Sequence, residues 1–247
     1  MTIDDLRTIS TLDRPYRVEI HERVTSTNDI AVSLAQRGRR QFVIVADRQG
    51  EGHGRHGSGW SSPSGGIWCS AILSPTLKRR RWGIYSIAGG VAICEALRDR
   101  GIDAHLKWPN DVLVGTGENR GGEKIAGVLA KTGDGWIVMG MGVNANVSRE
   151  ELPNGATSIQ EMSGPIDRSE LVVALLDRLY GDVEPDDVLD RWRELTSTLD
   201  REVRLKVDDE VITATAVDVG PDGALLIDRD GKRKAVRAGD CEYLRID

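Results

Sequence analysis

Gly50-Glu51-Gly52-His53-Gly54-Arg55-His56-Gly57-Ser58-Gly59-Trp60 is the stretch whose reading separates one fold from another. Five glycines alternate with charged and polar residues, and a tryptophan closes the run. Glycine loses much backbone entropy on folding and offers no side chain to bury, so an ordinary helix or packed strand does not suit it. A loop does, with backbone N–H groups turned toward an anion and Arg55 and His53 adding positive charge. Gly52-His53-Gly54-Arg55-His56-Gly57 has the literal spacing G-x-G-x-x-G. A dinucleotide fold needs a strand before that loop and a helix opening at its third glycine. The strand before is present as Phe42-Val43-Ile44-Val45-Ala46. After it come Ser61-Ser62-Pro63-Ser64-Gly65-Gly66 and the apolar run Ile67-Trp68-Cys69-Ser70-Ala71-Ile72-Leu73. The order is strand, glycine loop, strand, which sets the nicotinamide reading aside. A phosphate-handling loop and a plain surface loop of the Gly/Ser type both remain.

Outward from this stretch, residues 16–23 alternate and read as a strand. Thr25, Ser26, Thr27 and Asn28 supply N-cap candidates for a helix that Gly38 ends. Residues 83–100 carry apolar side chains at helical spacing. Short strands are expected at 104–107 and 112–114, and residues 124–131 and 136–143 read as an antiparallel pair. Asp167-Arg168-Ser169-Glu170 resembles a capping box before an amphipathic run at 171–180. A last helix is expected at 186–199. Beyond residue 200 the texture changes to five short strands (203–207, 211–219, 224–228, 233–236, 242–246) with turn residues between them, which predicts a small barrel.

The chain has 247 residues and a formal net charge of −6. That length accommodates one large domain and a small one. The negative charge argues against broad nucleic-acid binding. No apolar run approaches the ~18 residues of a membrane span, and the N-terminal residues lack the pattern of a signal peptide. Three scattered cysteines, none in a CxxC pair, give neither a fully paired disulfide framework nor a zinc site. A cytoplasmic protein is expected. Lys78-Arg79-Arg80-Arg81 reads either as a solvated turn or as a docking patch for an acidic partner.

Four further segments can carry chemistry, each with a bland reading beside it. Ser26-Thr27-Asn28 either caps a helix or presents two hydroxyls and an amide to one ligand. Lys107-Trp108-Pro109-Asn110-Asp111 is a proline turn, but a turn alone does not account for the cation and the indole beside it. Lys124 opens an otherwise apolar strand, so its ammonium faces either solvent or a cleft. Gly140-Met141-Gly142-Val143-Asn144 ends a strand with two glycines and an amide, which fits a bulge or close approach by a ligand.

In this order the segments resemble the biotin–protein ligases, whose catalytic domain carries S-T-N, G-R-G-R-x-G, K-W-P-N-D, K-[LI]-x-G and G-x-G-x-N. The resemblance covers residues 16–150 by motif and the remainder by layout. It implies an α+β fold, a mixed β-sheet with flanking helices like the class II aminoacyl-tRNA synthetases, followed by a small SH3-like barrel. The implied domains are 1–199 for catalysis and 200–247 for the barrel. The implied reaction joins biotin to ATP, with Mg2+, as biotinyl-5′-AMP and then transfers biotin to a lysine of a carrier domain.

By the same resemblance Ser26, Thr27, Asn28 and Gln49 would bond the ureido ring. Arg55 and the Gly52–Gly57 amides, Gly54 and His53 among them, would hold carboxylate and α-phosphate together. Lys124 and Arg55 would be the catalytic groups, and Gly127 would let its strand lie against biotin. Trp60 would stack on adenine and Asn144 read its edge. Asn110 and Asp111 would lie near the phosphates, with Asp111 on magnesium. His53 replaces the family's first loop arginine, and Ser58 stands where many members have a basic residue. Weaker adenylate binding than with arginine is therefore expected. A nucleic-acid partner is not expected, because only about 15 residues precede the first strand. A homodimer is compatible with the family. A lipoate–protein ligase and a non-catalytic biotin sensor are the alternatives. The S-T-N and Gln49 set favours biotin over lipoate, and Lys124 argues against the sensor.

Overall fold

A computed structural model describes residues 3–11, 13–115, 122–181, 184–207, 210–237 and 239–243. In chain order the elements are α1 (Asp4–Arg7), β1 (Arg17–Val24), α2 (Thr27–Gln36), β2 (Phe42–Gln49), β3 (Gly52–His53), β4 (Gly59–Trp60) and β5 (Ile67–Leu73). Then come α3 (Gly83–Arg98), β6 (Ala104–Lys107), β7 (Asp111–Val114), β8 (Glu123–Gly133), β9 (Trp136–Val143), α4 (Ile159–Ser163), α5 (Arg168–Tyr180) and α6 (Pro185–Leu195). The chain closes with β10 (Arg201–Val207), β11 (Glu210–Val219), β12 (Leu225–Arg229), β13 (Lys232–Val236) and β14 (Asp240–Tyr243). These elements form two compact units, Met1–Thr76 with Ile125–Asp182 and Leu77–Lys124 with Val183–Asp247.

The first unit is built on a mixed sheet in which β1 and β2 are parallel while β2–β5, β5–β9 and β9–β8 are antiparallel. The continuous apolar character of β5 is explained by burial of every one of its residues. Helix α2 sets Ala31 and Ala35 against Ile44, Ile72 and Val138 on one sheet face, with Trp136 closing the cluster. Further along β9 come Gly140, opposite Ser70 on β5 and Leu129 on β8, and Gly142, opposite Trp68 on β5 and Gly127 on β8.

Opposite charges inside this unit are paired. Arg168, at the first position of α5, is fully buried and donates to both oxygens of Asp5 (2.7 and 2.8 Å) and to Asp47 Oδ1 (2.6 Å). Its NH1 also donates to the Gly66 carbonyl at 3.2 Å. Isolated charge is very costly away from water, so such a guanidinium persists only with partners of this kind. The Asp167 side chain caps α5 by accepting from Ser169 N, at the N-cap position the capping-box resemblance gave it.

In the second unit α3 packs on α6 and β6, and β6 and β7 form a hairpin. The C-terminal strands pair antiparallel in the order β13-β12-β11-β10-β14. All five expected strands are present where described, and together they form one five-stranded antiparallel sheet. Helix α6 ends at Leu195, not at residue 199. Thr196 is extended, and the Leu106 carbonyl accepts from Ser197 N (2.9 Å) and Thr196 Oγ1 (3.1 Å), so strand β6 captures the chain before another turn can form. The expected turn at Asp208-Asp209, and the part of the last strand beyond Tyr243, lie outside the described residues.

Candidate active site

In the first unit the S-T-N segment sits where β1 passes into α2. Ser26 accepts from Asp29 N at 3.3 Å, which is the capping role open to it in the sequence. Thr27 donates from both N and Oγ1 to Gln49 Oε1 (2.8 and 3.0 Å), and its hydroxyl lies 2.9 Å from Ser70 Oγ. Gln49 in turn donates from Nε2 to Ser62 Oγ at 2.9 Å. The Asn28 amide donates to the Leu129 carbonyl at 3.4 Å. Its Oδ1 is buried and has no hydrogen-bond partner among the described residues. Leaving such an acceptor dry costs about 1–3 kcal/mol. A donor supplied by a ligand would remove that cost.

The floor beneath these groups is made by the glycines of β9. A methyl group at Gly140 would collide with the Asn28 amide, and one at Gly142 would collide with the Trp60 indole. The glycine run itself folds as a small pinched loop. Gly52 pairs with Trp60 and His53 with Gly59, and a single 3-10 turn at Arg55–Gly57 crosses the tip. Gly54 N donates to the Ser58 carbonyl at 2.7 Å, and the Ser58 hydroxyl donates to the Arg55 carbonyl at 2.8 Å. Ser58 therefore braces the loop at a position where the family pattern has a base. His53 does not project as a free cation: its Nε2 lies 2.7 Å from Asp29 Oδ2. Asn144 is buried, and its amide donates to the Thr157 carbonyl at 2.9 Å, holding the segment that leads into α4.

The second unit carries the other expected residues. Asn110 and Asp111 stand at the β6–β7 turn, with Lys107 directly across from Asp111 in the hairpin. Lys124 Nζ lies 2.6 Å from Asp111 Oδ1, both groups partly shielded from water. The lysine is thus an ion-paired group beside a turn, not a solvated strand end. Trp108 is buried, and its N–H donates to Thr198 Oγ1 at 2.9 Å. Lys107 and Arg201 each approach the Tyr243 ring to 5.0 Å, within cation–π range. Tyr243 Oη lies 2.9 and 3.1 Å from the hydroxyls of Ser197 and Thr198. Among the described residues no three His, Cys, Asp or Glu side chains cluster as a metal cage.

Ser26, Thr27, Asn28, Gln49, Gly52, His53, Gly54, Arg55, Trp60, Gly127 and Asn144 all belong to the first unit, and Asn110, Asp111 and Lys124 to the second. Sequence reasoning missed Ser70, Asp29, Lys131 and Tyr243. Ser70 was visible as the one hydroxyl in an apolar strand. The others are ordinary surface-type residues whose partners are remote in the chain, and nothing local marks them.

The family described as biotin/lipoate A/B protein ligase matches residues 9–146. The chain belongs to this family. Residues 198–244 match the biotin protein ligase C-terminal domain. Among ligases with curated names, the biotin–[acetyl-CoA-carboxylase] ligase of Mycobacterium tuberculosis is 30% identical over 82% of this chain and 79% of its own. The bifunctional ligase/repressor BirA of Salmonella typhimurium is 30% identical over 88% of this chain and 71% of its own. A biotin protein ligase from Aquifex aeolicus, solved in complex with biotin and ATP, superposes with a TM-score of 0.77 at 27% identity, covering 93% of this chain and 99% of that one. No helix among the described residues is long and apolar enough to cross a membrane.

Proposed function

We propose that the chain is an ATP-dependent biotin–protein ligase. The observation that carries this reading is the dry Asn28 carbonyl beside the Thr27–Gln49–Ser70 cluster, above a floor of glycines. A cyclic urea offers N–H donors for Asn28 and a carbonyl for the hydroxyls. A dithiolane offers neither, which favours biotin over lipoate.

In the first step a biotin carboxylate oxygen attacks the α-phosphorus of ATP. The bond to the bridging oxygen breaks and pyrophosphate leaves, giving biotinyl-5′-AMP. Two anions must approach, so their repulsion has to be offset by positive groups and oriented amides. Arg55 and the Gly52–Gly57 backbone are assigned that task, and Lys124 is assigned to the charge that grows on the reacting groups. The Asp111 carboxylate, 2.6 Å away, holds the Lys124 ammonium aimed before substrate arrives. In the second step the neutral amine of a carrier lysine attacks the acyl carbon and AMP leaves. An amide remains, and the surplus proton passes to solvent. Trp60 is assigned to adenine. Asn144, whose amide donates to the Thr157 carbonyl, is assigned to the adenine edge.

Magnesium commonly takes one or two protein carboxylates together with phosphate and water, and Asp111 beside Asn110 fits that need. Bound with ATP it would supply neutralisation of phosphate charge. The functional boundary is placed between 199 and 200, in keeping with the match at 198–244. A cytoplasmic location is part of the same reading.

The test is ATP–pyrophosphate exchange with biotin and with lipoate as the acid. Exchange is expected with biotin only. Exchange with lipoate at a comparable rate would overturn the assignment, and biotin binding without exchange would favour a sensor. A thermal shift with biotin and ATP together should exceed the sum of the separate shifts, by mass action from a tightly held intermediate.

A further inference from the structure

One carboxylate draws together three walls of the biotin cradle, and no motif includes it. Asp29 lies in the first turn of α2, next to Asn28. Its Oδ2 meets His53 Nε2 of the glycine loop at 2.7 Å, and its Oδ1 accepts from the ammonium of Lys131, on β8, at 2.8 Å. Lys131 stands two residues beyond Leu129, whose carbonyl holds the Asn28 amide. Burial pushes the Asp29 pKa up, but the hydrogen bonds from Lys131 and His53 prevail and hold it below the usual carboxylate value. It is therefore an anion under working conditions, with one cationic or donor partner on each oxygen.

We propose that Asp29 is a positioning residue for biotin. Through His53 it seats the glycine loop on α2, and through Lys131 it keeps β8 beside the same helix turn. The inference rests on the biotin-ligase reading of this site. It also gives the histidine in the loop a purpose that its charge alone does not. At this position the loop needs a group that reaches Asp29, and an imidazole does so. An exposed charged pair is worth roughly a factor of two to five. Two pairs sharing one anion therefore bring the expected effect to about tenfold.

The experiment measures biotin KM and kcat in pyrophosphate exchange, biotin affinity by calorimetry, and Tm, for the full chain. Asp29→Ala is expected to raise the biotin KM and Kd about tenfold, a larger change than in kcat at saturating biotin or in the ATP KM. His53→Arg keeps a partner for Asp29 and should bind biotin at least as well as the native chain. The exchanged pair Asp29→His with His53→Asp restores the contact between loop and helix but not the one with Lys131, so it should recover part of the loss, as a double-mutant cycle reads it. Asp29→Ala with native biotin affinity, or with kcat and Tm falling as far as affinity, would overturn the proposal. So would an exchanged pair that recovers nothing. A native chain that gives no biotin-dependent exchange would remove the functional reading itself. Native exchange with a silent Asp29 variant would remove only this inference.

Discussion

The glycine loop and the K-W-P-N-D turn are both short polar segments between strands, yet they are held in different ways. The loop leans on backbone bonds at its stem and on a half-exposed clasp between His53 and Asp29. The turn is pinned from inside by the buried Trp108 side chain, by the bond from the Trp108 backbone N–H to Thr198 Oγ1, and by Tyr243 against Lys107. Segments with few buried contacts and exposed hydrogen bonds open at low free energy, while densely packed ones open only with the whole unit. A loop that must admit a substrate belongs to the first kind. A turn that must present Asp111 and Lys124 in a fixed attitude belongs to the second.

The contrast can be broken most severely at Lys124. Lys124→Ala should lower carrier biotinylation about 100- to 1,000-fold, the usual cost of losing one charge-stabilising group, with biotin affinity and Tm close to native. Labelling at the native rate would show that the pinned turn aims at nothing. Tyr243→Leu comes next. It removes two cation–π contacts worth ~0.5–1 kcal/mol each, so a loss near tenfold is expected in kcat/KM for ATP. Tyr243→Phe, which keeps the ring, should lose less. Equal losses in both would mean that the hydroxyl network, not the ring, holds the turn.

The smallest effect sharpens the comparison away from the site. The Asp5 pKa is held below its usual value by Arg168 even though burial pushes it up. A depressed carboxylate contributes stability that is complete above its unfolded pKa and is lost as pH falls through the folded value. Native Tm should therefore drop as the pH falls below about 4. Asp5→Asn should start lower at pH 7, by a few degrees, and decline less over that range. Parallel curves for the two chains would remove Asp5 from the acid response.

Much of this architecture was legible in the sequence because it rests on periodicity. The alternation at 16–23, the long apolar helix α3 and the β8–β9 hairpin emerge within a residue or two of their expected ends. Helix α6 was overextended because its end is set by a remote partner: the Leu106 carbonyl, 90 residues away, takes the Thr196 hydroxyl. The C-terminal sheet was inferred from strand count and turn residues, which specify pairing between neighbours. In the site, motif order identified the residues but not their partners. His53 was read as a cation for the ligand, and only the fold brings Asp29, 24 residues earlier, against it. Arg168 looked like a helix-start residue, yet its partner Asp5 is 163 positions away.

The solitary acceptor on Asn28 has one more consequence. An acid of the right length but without a ring N–H would fill the space and still leave that oxygen thirsty. Rejection of impostors would then come from what they fail to repair, and it would be felt on entry, before any nucleotide is consumed.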